Sequence, residues 1–117
     1  MAVEKLKKHF DFMELKDTPF KSFTRHLVLQ MKPNTLGNTR FGYTVSKKIS
    51  KLATDRNRLR RQMRNIVRLH PQISNLYPSH DFVLIARKSA LDCTYQELAK
   101  DFDYLLTHIQ EKDSNEG

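Results

Sequence analysis

Six arginines fall within the fifteen residues from Thr54 to Arg68, TDRNRLRRQMRNIVR. A guanidinium at such density has one chemistry to offer: it binds phosphate. Its planar fork of donors is charged at every physiological pH and grips a phosphate through two bonds, where a lysine acts as a point charge. With the loop ahead of it, this segment carries Lys47, Lys48, Lys51, Arg56, Arg58, Arg60, Arg61, Arg64 and Arg68. Those nine basic residues stand against one acid, Asp55, and the difference equals the +8 formal charge of the whole 117-residue chain. The remainder is near neutral. A field concentrated in this way selects a polyanion, either a nucleic acid or an anionic membrane.

Bond-breaking chemistry has no comparable signal. The five histidines (His9, His26, His70, His80, His108) are scattered and form no HExxH or other spaced pair. A metal-dependent nuclease needs several converging carboxylates, and the acids lie mainly near the two ends of the chain, away from the basic segment. Cys93 is the only cysteine, so neither a disulfide framework nor a thiolate cluster can form within the chain, and it reads as a half-buried filler. We therefore expect no catalytic residue and no metal site. No run approaches the ~18 apolar residues of a membrane span, and the N-terminus has no apolar signal core. A soluble cytoplasmic protein without a membrane partner is the expectation.

The arginines need a helix to align them. At about 100° per residue, Leu59, Met63, Ile66 and Val67 form one apolar stripe, and Asn57, Arg61, Arg64 and Arg68 gather opposite. Arg60 flanks the stripe on one edge, Arg58 and Gln62 on the other. Asp55 is the expected N-cap. A charged helix face is usually only a solvated face, where acids and bases one turn apart support each other. Here no acid follows Asp55, and Arg60–Arg64 and Arg64–Arg68 place like charges at i, i+4, each costing roughly 0.2–0.5 kcal/mol. An external anion resolves that repulsion.

Around this helix the pattern alternates between strand and helix. RHLVLQM points Leu27, Leu29 and Met31 to one face and His26, Val28 and Gln30 to the other. After the loop KPNTLGN, the stretch TRFGYTVS opposes Phe41, Tyr43 and Val45 to Arg40, Gly42 and Thr44. These two strands are expected to pair antiparallel. DFVLIAR is a continuous apolar run, as in a strand covered on both faces. TYQELAKDFDYLLTHI opens with a capping box, Thr94 and Glu97, and carries a core stripe of Tyr95, Leu98, Ala99, Phe102, Leu105, Leu106 and Ile109. KHFDFMELK is a short helix candidate near the start. Residues 1–110 should form one domain, with 111–117 an acidic disordered tail. The order implies an α/β (α+β) sandwich built on one small sheet. A helix-turn-helix needs a helix just before the basic one, and a strand stands there instead. RNA is therefore preferred to DNA, as a single strand lying against an exposed sheet face.

RFGYTVSKKISKLATDRNRLRRQMR resembles the signature region of the bacterial ribonuclease P protein component. Arg56, Asn57 and Arg58 match that family's arginine-asparagine-arginine triplet, and Arg60, Arg61 and Arg64 its following basic positions. VSKK (Val45 to Lys48) and DFVLIARK (Asp81 to Lys88) also match. The resemblance spans roughly Lys5 to Ile109 and is strongest in these two blocks. It implies a mostly antiparallel sheet like that of ribosomal protein S5 domain 2, with the basic helix in a left-handed βαβ crossover. It also implies a partner, a catalytic RNA subunit that removes the 5′ leader of precursor tRNA with Mg²⁺ held mainly by the RNA, and a protein that makes no bond chemistry. A monomer in a 1:1 ribonucleoprotein is expected.

The implied RNA contacts are Lys47, Lys48, Lys51, Arg56, Asn57, Arg58, Arg60, Arg61, Arg64 and Arg68. The implied leader cleft has Val28 and Gln30 on its floor, with Arg60 and Arg64 as one wall and Phe12 as the other. The chain departs from the pattern at Lys16 and Gln30, where relatives often place aromatic residues. Two other function classes compete. A structural, ribosomal-type RNA-binding protein would use the same helix without a leader cleft, and a stand-alone nuclease would cut RNA unaided.

Overall fold

A computed structural model of the chain describes residues 4–5, 20–70 and 79–116. Its elements are β1 (Glu4–Lys5), β2 (Phe20–Phe23), β3 (Leu27–Pro33), β4 (Arg40–Thr44), α1 (Ala53–Leu69), β5 (His80–Ala86), a 3₁₀ turn (Lys88–Leu91) and α2 (Tyr95–Glu116). The short helix expected around Phe12 lies outside the described residues, as does Lys16. The last helix continues to Glu116, past the point where the sequence suggested a disordered tail.

The five strands form one mixed sheet in the order β1-β4-β5-β3-β2. This corrects the expected β3–β4 hairpin. β5 lies between them, antiparallel to β3 from Leu27↔Ala86 to Pro33↔His80 and parallel to β4 from Arg40↔Asp81 to Thr44↔Ile85. The reason is burial. β5 is apolar on both faces, and only a central position covers both. Alternation in β3 and β4 sets which side chains face the core, but it does not choose a partner. The basic helix α1 thus joins two neighbouring parallel strands, β4 and β5.

Strand alternation divides the sheet cleanly. Leu27, Leu29 and Met31 of β3, Phe82, Leu84 and Ala86 of β5, and Phe41 of β4 face one side and are buried. Both helices cover that side. α1 contributes Leu59, Met63, Ile66 and Val67; α2 contributes Leu98, Phe102, Leu105, Leu106 and Ile109. Phe41 stacks on Phe82 (ring centroids 4.6 Å apart) and meets Phe102 edge-on at 6.0 Å. The buried Ser22 hydroxyl donates to the Leu105 carbonyl at 2.9 Å, tying β2 to α2. His70, just past α1, holds Asp103 of α2 at 3.1 Å.

The second face carries Lys21, Phe23, Val28, Gln30, Lys32, Arg40, Gly42, Thr44, Asp81, Val83 and Ile85. One end of it is pinned electrostatically. Asp81 accepts from Arg40 Nε at 2.8 Å and Nη2 at 2.7 Å, and from Asn34 Nδ2 at 2.8 Å. Asn34 Nδ2 also donates to the Asn38 carbonyl, and Asn34 Oδ1 accepts from the Leu36 N–H, which folds the loop between β3 and β4. Gly37 completes that loop at φ 79°, a conformation side chains resist.

Candidate nucleic-acid interface

α1 presents its arginines because its other side is committed to the core. Leu59, Met63, Ile66 and Val67 are buried, while Asn57, Arg58, Arg61, Arg64 and Arg68 are exposed. Lys47, Lys48 and Lys51, in the loop from β4, are exposed beside the start of the helix. All ten residues expected to meet RNA therefore belong to one continuous segment running from the loop down α1.

The start of α1 differs from expectation. Its N-cap is Leu52, which makes no side-chain cap bond, and Asp55 sits in the first turn. Ser50 substitutes for a cap from two residues upstream: its Oγ accepts from the Leu52 N–H at 3.2 Å and donates to Asp55 Oδ2 at 3.0 Å. The one acid of the segment is thereby turned toward Ser50. It also lies at the positive end of the helix dipole, so it stabilises the helix without an ion pair to any guanidinium of the described residues.

The arginines fall into two groups. Arg56 Nη1 donates to the Ser50 carbonyl at 2.8 Å, Arg58 Nη2 to the Leu91 carbonyl at 3.4 Å, and Arg60 Nη2 to the Val45 carbonyl at 3.2 Å. Arg60 Nη1 also donates to Asn57 Oδ1 at 3.1 Å. These three brace the helix against the loop, the 3₁₀ turn and the end of β4. Each keeps further N–H donors for a ligand, since a guanidinium has five. Arg61, Arg64 and Arg68 make no hydrogen bond or ion pair with any other described residue.

Arg64 lies over the ring of Tyr43, 6.0 Å from its centroid, the outer limit of a cation–π contact. Burial raises the Tyr43 phenol well above its ordinary value, and the opposing pull of Arg64 and Arg68 is weaker. Tyr43 is thus a neutral, half-buried platform beneath Arg64. Its contact guides the Arg64 side chain without removing its charge.

The leader cleft expected from the sequence is only partly assembled. Val28 and Gln30 lie on the second face of the sheet, half-exposed. Arg60 and Arg64 lie on α1, which covers the first face, so the sheet itself separates them from Val28 and Gln30. Arg60 and Arg64 therefore do not wall that floor. The physical reason is amphipathicity: a helix that buries its stripe on the apolar face cannot also line the opposite one. The centre of the second face is also less open than expected, with Gly42 buried and Val83 only 3% exposed. Phe12 lies outside the described residues. Among the described residues no group of three or more His, Cys, Asp or Glu is placed to hold a metal ion, and no helix is long and apolar enough to cross a membrane.

Several residues escape the sequence pattern. β2 puts the half-exposed Phe23 on the second face opposite Val28. Tyr104 of α2 is equally exposed, and its position outside that helix's apolar stripe is the one available signal.

A family model described as Ribonuclease P matches residues 2–110. The ribonuclease P protein component of Idiomarina loihiensis is 39% identical over 87 residues, covering 74% of this chain and 67% of that protein. The one from Microcystis aeruginosa is 34% identical over 109 residues, 89% of this chain and 88% of that protein. Among solved structures, the Staphylococcus aureus RNase P protein superposes with a TM-score of 0.76 at 25% identity, covering 91% of this chain and 94% of that one. The Thermotoga maritima RNase P protein gives 0.75 at 23% identity, covering 89% and 96%.

Proposed function

This chain belongs to the ribonuclease P protein family, and from that premise we propose how its two exposed surfaces serve the enzyme. The membership makes it a protein subunit of the endoribonuclease that removes the 5′ leader from precursor tRNA, and its RNA partner is the ribonuclease P RNA. In our reading, the loop and α1 bind that RNA through phosphates, with Arg61, Arg64 and Arg68 as the principal contacts and Lys47, Lys48, Lys51, Arg56, Asn57, Arg58 and Arg60 around them. The second face of the sheet, with Val28 and Gln30, receives the single-stranded leader together with Phe12. In this reading Mg²⁺ is held mainly by the RNA subunit. The complex is one protein to one RNA, in the cytoplasm.

The observation that carries this reading is the row of Arg61, Arg64 and Arg68 on α1, without hydrogen-bond or ion-pair partners among the described residues, whose like charges need a polyanion to settle them. Reconstitution tests it. Added to bacterial ribonuclease P RNA at low Mg²⁺, the protein is expected to stimulate leader removal, more strongly for a long leader than for a short one. No stimulation at any protein concentration rejects the reading. Stimulation indifferent to leader length supports RNA binding alone and removes the second surface from the account.

A further inference from the structure

At the edge of the sheet, β2 and α2 flank an open cavity of roughly 460 Å³ lined by Phe23, Thr24, Lys100, Asp101 and Tyr104. It lies at the rim of the second face, where Phe23 joins that face, and its chemistry is specific. Two large aromatic residues stand half in solvent at its walls, Phe23 at 52% and Tyr104 at 49% exposure. Such rings cost free energy in water unless something covers them. Tyr104 is already oriented: it stacks on His108 with ring centroids 3.7 Å apart at 16°, and His108 Nδ1 lies 2.9 Å from the Tyr104 carbonyl oxygen. The walls are tied together by the bond from Ser22 to Leu105. Within the lining, the Asp101 Oδ2 atom is buried and has no hydrogen-bond partner among the described residues. A buried carboxylate oxygen demands a donor. Lys100, exposed, supplies the only positive charge among the described residues of the lining.

We propose that this cavity binds one nucleobase of single-stranded RNA, stacked on Phe23 and Tyr104 with its N–H edge donating to Asp101 and its phosphate turned to Lys100. The carboxylate sets the orientation, since it repels phosphate and accepts from a base. It also sets a preference. The amino groups of guanine, adenine and cytosine donate to it, whereas uracil places its one N–H between two carbonyl oxygens. The strand that reaches the cavity is the precursor leader. Phe23 sits directly opposite Val28 in the β2–β3 ladder, so the cavity continues the second face around the sheet edge. The inference therefore rests on the assignment of that face to the leader.

The test uses ribonuclease P reconstituted with this protein and a precursor whose long leader carries 2-aminopurine at successive positions, a fluorescent base that responds to stacking. One position far from the cleavage site is expected to change emission on binding, and Phe23→Ala or Tyr104→Ala to abolish that change and weaken long-leader binding about tenfold, the effect of removing one stacked ring. A precursor trimmed to a few leader nucleotides should bind wild type and variants alike. Asp101→Asn should reduce the preference for an amino-bearing base over uracil at the responding position. If the short-leader precursor loses affinity equally, or if Phe23→Ala instead changes the oligomeric state in sedimentation, the cavity is not a base site. If the long leader retains its advantage and no position responds to the substitutions, the inference falls while the leader surface stands. If the long leader has no advantage in wild type, the leader surface itself is wrong.

Discussion

Arg61, Arg64 and Arg68 differ from Arg56, Arg58 and Arg60 in what they already hold, and the difference predicts two mutational signatures. Arg61→Ala or Arg64→Ala removes a cation that supports nothing else by hydrogen bond or ion pair among the described residues. Each should weaken RNA-subunit binding and flatten its dependence on log salt concentration by about 0.7–0.9 for every phosphate left without its cation, with thermal stability unchanged. Arg60→Ala should also lower stability, on the order of 1 kcal/mol, because it deprives the Val45 carbonyl of a donor. Salt-series titrations paired with thermal melts separate the two, and an unchanged slope for Arg61→Ala refutes the phosphate assignment. The outward orientation of these residues is legible in the sequence, since helical period alone places them. Which of them are already bonded is not legible. The acceptors are backbone carbonyls at Val45, Ser50 and Leu91, and a sequence does not display where its carbonyls point.

Helix ends show the same boundary between local and distant information. The capping box of α2 is readable because it is confined to four consecutive residues: the Thr94 N–H donates to Glu97 Oε1 at 2.8 Å and the Glu97 N–H to Thr94 Oγ1 at 3.1 Å. Hydrogen bonding from the Thr94 N–H and side chain holds the Glu97 carboxyl below its ordinary 4.5. A depressed carboxyl adds stability that is complete above its unfolded value and is lost as pH falls through the lower folded one. Thr94→Ala should cost about 1 kcal/mol near neutral pH, and the gap from wild type should narrow in acid, below 4.5. Denaturant unfolding across that range checks it, and a gap that widens in acid contradicts the assignment. The start of α1 departs from the sequence pattern because Ser50, Leu52 and Asp55 share the capping between them. β2 escapes notice because four residues at a sheet edge carry too short a pattern to distinguish from loop.

For the molecule as a whole, the sheet acts as a partition, with guanidinium groups on α1 over one face and Val28 and Gln30 on the other. Substitutions on the two sides should then act independently: Arg61→Ala on the RNA subunit, Gln30→Ala on leader-bearing precursor, with the double variant additive within about 0.3–0.5 kcal/mol. Coupling beyond that range in the binding cycle means that the two surfaces meet. The sequence supplies the composition of each face but merges them into one cleft, because facing is local and strand order is not. That order bears on how the polypeptide is born. β3 and β4 share no ladder, and residues 80–86 are what joins them in one sheet. On the ribosome, the residues made before β5 thus lack the central strand, and the arginine helix lacks the platform that gives it a side. Capture of the polyanion in its final geometry must follow the emergence of β5, so the newborn chain carries its charge before it has a surface on which to order it.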